Sequence, residues 1–215
     1  MPDQPLTLSS LPLFPLGTAL FPGGVLPLRV FEVRYLDMIG KCHRAGAPFG
    51  VVALAQGSEV RVPGAPQEQL EPVGTLARIT RLEQPQPGLL LVQCQGEQRF
   101  RIDHASRLKN ALWVADVTLL PHDPAVAVPQ DLHHAAQALR QVFEHLRARS
   151  PEAPIPPESD AQYDDCAWVA NRWCELLPLP LATRHRLMAL DNPLLRLELV
   201  ADVLARTGID AGTAG

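Results

Sequence analysis

Leu11-Pro-Leu-Phe-Pro-Leu-Gly-Thr-Ala-Leu-Phe-Pro-Gly-Gly-Val-Leu-Pro-Leu28 is the stretch whose reading settles what kind of protein this is. It lies in a run with no charged residue between Asp3 and Arg29, and on hydropathy alone Leu6 to Leu28 would pass for a spanning helix or a leader. The residues inside oppose that. Pro12, Pro15, Pro22 and Pro27 would each cost a helix interior about 3 kcal/mol, and Gly17, Gly23 and Gly24 about 1 kcal/mol apiece. No Lys or Arg precedes the run, so the basic region that opens a leader is missing. Two buried strands joined by a glycine turn remain: Leu11 to Leu16, the turn Phe21-Pro-Gly-Gly24, and Val25 to Val30.

Outward from this stretch the period changes. From Glu32 to Arg44, Tyr35, Leu36, Ile39 and Cys42 share one helical face while Arg34, Asp37, Lys41 and Arg44 stay in water, and Gly46 ends the helix. Phe49 to Ala55 predicts another strand, Ser58 to Glu71 a polar loop, and Val73 to Leu82 a strand. Pro85-Gln-Pro-Gly88 predicts a turn and Leu89 to Val92 a strand. Gln95-Gly96 predicts a second turn before Arg99 to Ile102, where Phe100 and Ile102 face away from Arg99 and Arg101. Leu112 to Leu120 completes six or seven short strands with one helix among them, the pattern of a closed or nearly closed barrel.

After Pro129 the pattern is helical. Asp131 to Arg149 holds Leu132, Ala135, Ala136, Leu139, Val142, Phe143 and Leu146 in register, and Ser150 to Ser159 is a proline-rich connector. Tyr163 to Leu177 aligns Cys166, Ala170, Trp173 and Leu177, and Pro180 to Leu190 is a shorter helix. Asn192-Pro193 caps a last helix that buries Leu194, Leu197, Ala201 and Leu204 and ends at Gly208. The expected architecture is α+β: a β pseudo-barrel over residues 1–120, a helical bundle over 121–207, and a flexible tail over 208–215.

Composition narrows the function classes. At 215 residues, 47% hydrophobic and 20% charged, the chain has enough apolar surface to fold. Twenty-two prolines, about twice the usual share of roughly 5%, favour strands and turns over a mainly helical chain. A formal charge of −4 supplies no cationic excess for phosphate backbones. Cys42, Cys94, Cys166 and Cys174 form no C-x-x-C pair, so reduced thiols and a cytoplasmic location are expected.

The strings Leu11-Pro-Leu-Phe-Pro-Leu-Gly17, Leu20-Phe-Pro-Gly-Gly24, Leu26-Pro-Leu28 and Phe31-Glu-Val-Arg-Tyr35 resemble the N-terminal, substrate-binding domain of the ATP-dependent Lon proteases. Val73-Gly-Thr-Leu-Ala-Arg-Ile79 and Gly96-Glu-Gln-Arg-Phe-Arg-Ile102 are similar to that family's second signature stretch. Leu177-Pro-Leu-Pro180 and Leu190-Asp-Asn-Pro193 resemble its stand-alone bacterial members. The resemblance covers most of the chain and is weakest at residues 56–71 and 121–160. It implies a PUA-like pseudo-barrel followed by a helical bundle. It also implies a role in holding unfolded or partly folded polypeptides, with a separate ATPase or protease as a second partner, and leaves a homodimer open.

The chemistry of a full Lon protease is not written here. No G-x-x-x-x-G-K-[ST] occurs, and Gly40-Lys41 falls within a helix instead of after a strand. Of the two lysines, Lys41 lies one turn from Asp37, which favours its charged form, and Lys109 lies in a connection beside Arg107; neither suits a neutral activating amine. No serine stands in G-x-S-x-G, and Cys94 after an apolar run reads as a core residue. His133 and His134 diverge by about 100°, and His134 and His145 lie about 16 Å apart along a helix, too far to share an ion. No enzyme activity, metal or cofactor is expected.

Binding is expected where strand passes into helix. Phe31, Glu32, Arg34 and Tyr35, with Phe49 and Gly50 on the next strand, are the candidate peptide-binding residues. The same residues also have a packing role to fill, Phe31 and Tyr35 seating the helix and Glu32 complementing its N-terminus. An RNA-binding alternative rests on a PUA-like barrel with Arg78, Arg99, Arg101 and Arg107. The net charge and an aromatic content of 5% oppose it, so nucleic acid is not an expected partner, nor is a membrane.

Overall fold

Alternating burial along Thr7–Leu16 (β1) sets up two cores at once. Leu11 and Leu13 point to one side of the strand and Phe14 and Leu16 to the other, and all four are buried. The computed structural model describes residues 6–56, 68–156 and 158–208, and the chain divides after His122 into two compact units. The first holds β1, Val25–Val30 (β2), the helix Val33–Ala45 (α1), Phe49–Gln56 (β3), Gln69–Gln86 (β4), Leu89–Arg107 (β5) and Trp113–Leu119 (β6).

These strands form one six-stranded sheet in the order β2-β5-β4-β3-β1-β6. An additional β5–β6 pairing closes five of them into a ring, the pseudo-barrel expected from the strand pattern. β1 and β3 run parallel, joined by the β2–α1 excursion, and the other pairs are antiparallel. One core takes Leu11, Leu13, Val52, Leu76, Phe100, Ala115, Val117 and Leu119 from all five ring strands. The other lies under α1, where Tyr35, Met38, Ile39 and Cys42 meet Phe14, Leu28, Val30, Phe49 and Val92.

Two turns expected from sequence differ in the structure. Gln95-Gly96 is not a turn, because β5 runs unbroken through it. Gly96 is instead the place where the 21–24 turn lies flat on the strand. Its N–H donates to the Gly24 carbonyl at 2.8 Å, and the Gly23 N–H donates to the Gly96 carbonyl at 2.8 Å. A Cβ at position 96 would overlap the Phe21 carbonyl oxygen, so the backbones approach this closely only at glycine. The expected Pro85–Gly88 turn contracts to Pro87-Gly88, with Gln86 and Leu89 paired across it and Gly88 at φ 80°. β4 begins at Gln69, so the last residues of the expected 58–71 loop are strand; residues 57–67 lie outside the described residues.

Arg99, expected to face water, is buried. A register shift between the pairs Thr75↔Arg99 and Ala77↔Gly96 breaks the alternation, so Arg99 and Phe100 are both enclosed. Glu32 is the N-cap of α1 in extended geometry, but its side chain makes no cap hydrogen bond and pairs with Arg34 instead.

The second unit holds His133–Arg149 (α2), Cys166–Leu176 (α3), Leu181–Ala189 (α4) and Pro193–Thr207 (α5), with 3-10 turns at Gln130–Leu132 and Asp160–Asp164. Asn192 caps α5 by accepting from the Leu195 N–H at 3.1 Å, and Gly208 closes it in the left-handed region at φ 72°. α3 buries far more than the stripe read from sequence: every residue from Cys166 to Cys174 is enclosed, Asn171 and Arg172 included. Enclosure on all sides forces its polar groups to find partners. Arg196 of α5, 0% exposed, donates to both Asp123 oxygens at 2.7 and 3.2 Å, to Asn171 Oδ1 at 2.8 Å and to the Leu190 carbonyl.

Two stability measurements follow. Gly96→Ala drives a methyl into the Phe21 carbonyl and is expected to lower unfolding free energy by about 3 kcal/mol in a denaturant titration, whereas an unchanged midpoint rejects the close approach. Asp123→Asn leaves the Arg196 guanidinium buried without its counter-charge and is expected to cost about 3 kcal/mol or more in the same assay.

Candidate functional site

The passage from β2 into α1 leaves an open groove of about 320 Å³. Its floor is apolar, formed by Phe14, Leu16, Leu28, Val30 and Tyr35, and its rim carries Thr18, Arg29, Phe31 and Glu32. Sequence dictates the inner wall: in β2, Leu28 and Val30 alternate inward while Pro27 and Arg29 face out. β2 is also the end strand of the sheet, and among the described residues it pairs on one side, with β5.

Phe31 stands at the mouth, 57% exposed, and Val33 beside it is 73% exposed. Two such neighbouring side chains give the rim an apolar lip. Tyr35 is the groove's back wall. Its ring stacks on Phe14 with centroids 4.1 Å apart and planes within 10°. The Arg34 guanidinium carbon sits 4.5 Å from the same ring centroid. Burial pushes the Tyr35 phenol up to about 12, with Arg34 opposing and Glu32 and Glu68 adding to the rise, so it stays protonated at neutral pH.

The six residues proposed from sequence are therefore placed unequally. Phe31, Glu32 and Tyr35 line the groove. Arg34 lies behind it, donating from Nε to Glu32 at 3.0 Å and from Nη1 to the Ala111 carbonyl at 2.9 Å. Phe49 is fully buried in the core under α1. Gly50 faces the other core: a Cβ there would come within 2.6 Å of Leu13 Cδ2 and 2.7 Å of Phe100 Cζ. Neither Phe49 nor Gly50 presents surface to the groove.

Behind Arg34 lies a cluster that sequence reasoning missed. Glu68 accepts from Trp113 Nε1 at 2.7 Å and pairs with Arg107 at 2.5 Å, while the Arg107 guanidinium lies 4.6 Å from the Trp113 ring centroid. Burial alone would raise the Glu68 carboxyl, but hydrogen bonds from Trp113 and Arg107 and the positive field of Arg107 and Arg34 outweigh it and hold it below the usual range. No local motif signals this set, because Glu68 just before β4 is distant in sequence from Arg107 at the end of β5 and Trp113 at the start of β6.

The four arginines behind the RNA reading do not form a free cationic stripe. Arg78 is held by Glu97 and Gln95, both at 2.8 Å, Arg101 by Asp103 at 3.3 Å and Arg107 by Glu68, and Arg99 is buried. All four thiols are buried and pushed up by desolvation, Cys94 to about 12, which makes each a core residue. His133 is engaged with the Val128 carbonyl at 3.0 Å, and among the described residues no group of three metal-ligating side chains assembles. Among them, too, no helix is long and apolar enough to cross a membrane.

The family model for the ATP-dependent protease La (LON) substrate-binding domain matches residues 10–206. The chain belongs to that family. A crystal structure of a Lon N-terminal domain protein from Xanthomonas campestris superposes with a TM-score of 0.70 at 31% identity, covering 91% of this chain and 98% of that one. The N-terminal domain of a Mycobacterium avium complex Lon protease shares the fold at a TM-score of 0.58 and 16% identity, covering 95% of this chain and 99% of that one. The Lon protease of Flavobacterium johnsoniae is 35% identical over 95 residues, which make up 44% of this chain. The matched stretch is 11% of that protease's length. The α+β pseudo-barrel with appended helices is thus the Lon N-terminal domain fold, as the resemblance at Leu11 to Tyr35 implied.

The Glu68 site gives a pH test. Its folded carboxyl is held below the ordinary 4.5, so its stabilising contribution is complete above that value and fades as pH falls below it. The difference in unfolding free energy between the parent chain and Glu68→Gln is expected to be constant from pH 7 to 5 and to shrink as pH drops below about 4.5. A difference that grows on acidification contradicts the assignment.

Proposed function

We propose that this chain is a non-catalytic polypeptide-recognition module that holds extended apolar segments in the β2–α1 groove. The observation that carries the reading is a groove with an apolar floor whose lip, Phe31, is left in water. A large side chain seated on Phe14, Leu28 and Tyr35 would cover that lip and remove apolar surface from water at about 25 cal/mol per Å². The end strand β2 lies alongside, so a bound segment could add main-chain hydrogen bonds at the sheet edge, and Pro27, lacking an N–H, limits how many. Arg29 and Glu32 on the rim supply one charge of each sign, which favours neither acidic nor basic segments.

Membership in the Lon substrate-binding family supports the same reading, and a separate ATPase or protease is the natural recipient of what is bound. In such a pairing this chain confers recognition and its partner the work. Micromolar binding, about −8 kcal/mol, is the range in which the titration below is set.

Fluorescence anisotropy of a labelled, permanently unfolded apolar polypeptide tests the proposal. Phe31→Glu places a charge at the lip of the groove without touching a buried residue. It is expected to weaken binding about tenfold or more while leaving the thermal midpoint within a few degrees of the parent. Saturable binding that Phe31→Glu leaves unchanged removes the groove from the function, and no saturable binding at all rejects the module.

A further inference from the structure

The helical unit carries a second groove, of about 380 Å³, between α4 and α5. Both helices pack on α3, and the space between their outer faces stays open. Each contributes a ridge at helical spacing: Thr183, Leu187 and Leu190 from α4 and its C-terminal cap, Leu199, Val203 and Arg206 from α5. Leu187 is buried at the bottom, and Leu199 is 42% exposed at the side. Leu195, one turn earlier on α5 and also exposed, extends the apolar strip.

The groove carries more basic than acidic side chains. Arg140, Arg147, Arg172 and Arg196 each have an acidic partner, at 2.8, 2.5, 3.0 and 2.7 Å. Arg186 and Arg206, both exposed on the groove wall, form no ion pair among the described residues. Asp202 is the one acidic residue lining it. An apolar trough walled by two guanidinium groups with no ion pair among the described residues, against one carboxylate, is complementary to an apolar ligand with acidic flanks.

We infer that the α4–α5 groove docks an amphipathic helix of a partner protein, with its apolar stripe on Leu187, Leu199 and Val203 and its Asp or Glu flanks against Arg186 and Arg206. Two helices wall the trough, and their backbone groups are satisfied internally, so an extended segment would gain no main-chain hydrogen bonds there. A helix brings its own bonds already made and packs ridge into groove. A second copy docked through the same face offers one carboxylate, Asp202, for two guanidinium groups, a poorer charge match than a helix flanked by Asp or Glu. This surface goes beyond the recognition role of the β2–α1 groove and does not depend on it.

The test uses the full chain and two labelled synthetic helical peptides with the same leucine stripe, one flanked by Glu and one by Lys. Anisotropy titration is expected to show the Glu-flanked peptide binding about tenfold more tightly, to lose about tenfold on the double charge reversal Arg186→Glu and Arg206→Glu, and to give the Lys-flanked peptide a gain in that variant. Phe31→Glu is expected to leave the Glu-flanked peptide unaffected, which separates this site from the first. Equal binding of both peptides, indifference to the charge reversal, or loss on Phe31→Glu each overturns the inference. So does concentration-dependent dimerisation abolished by Leu199→Glu, which would hand the groove to a second copy.

Discussion

The approach of one backbone to another at Gly96 underlies the geometry of the β-rich unit. With no side chain there, the turn at residues 21–24 lies on β5 and exchanges two hydrogen bonds with it, each 2.8 Å. Those bonds set where β2 starts, and β2 then pairs with β5 from Val25↔Gln95 to Val30↔Leu90. The end of β2 in turn sets where α1 begins, and so where Phe31, Glu32 and Tyr35 stand. A single long strand, β5, thereby serves three neighbours: β4 along most of its length, β2 on its first half and β6 on its second. The ring closes because β5 exchanges partners along one edge, and the groove opens because β2 ends the sheet there.

The helical unit is organised by a different constraint. Its central helix α3 is buried on every side from Cys166 to Cys174, so Asn171 and Arg172 had to be accommodated along with Trp168 and Trp173. Trp173 donates from Nε1 to the Ala135 carbonyl at 2.9 Å, and Arg196 gathers Asp123, Asn171 and the carbonyl of Leu190 around one guanidinium. Buried charge of this kind adds little net stability against an apolar replacement. It does penalise any packing in which the partners fail to meet. The Arg196 cluster ties the start of this unit to its last helix, across 73 residues of sequence.

Both grooves use apolar floors and polar rims, but their backbones differ. The β2–α1 groove borders a strand that pairs on one edge among the described residues, so it suits an extended chain. The α4–α5 groove is walled by helices whose main-chain bonds are made, so it suits a ligand that brings its own. The tyrosine at the back of the first groove is kept neutral by burial, and the four core thiols are pushed up by desolvation.

Local signals sufficed for much of this. The prolines and glycines between Leu11 and Leu28 excluded a helix, the period change at Glu32 located α1, and Asn192-Pro193 and Gly208 bounded α5, since each acts through its own backbone within a few residues. Phe31, Glu32 and Tyr35 were legible as neighbours on one surface because the strand-to-helix junction that carries them is contiguous. What only the tertiary structure decided were the events that need two distant segments. Gly96 reads locally as a turn, and its role inside a strand appears only with Phe21 pressed against it. Arg99 reads as exposed until a register shift encloses it, and Glu68 meets Arg107 and Trp113, themselves paired across the β5–β6 hairpin, only in the folded sheet. Periodicity and punctuation are written residue by residue. Close backbone approach, register and charge pairing belong to the pairing of segments, and a linear sequence does not specify the distance between them.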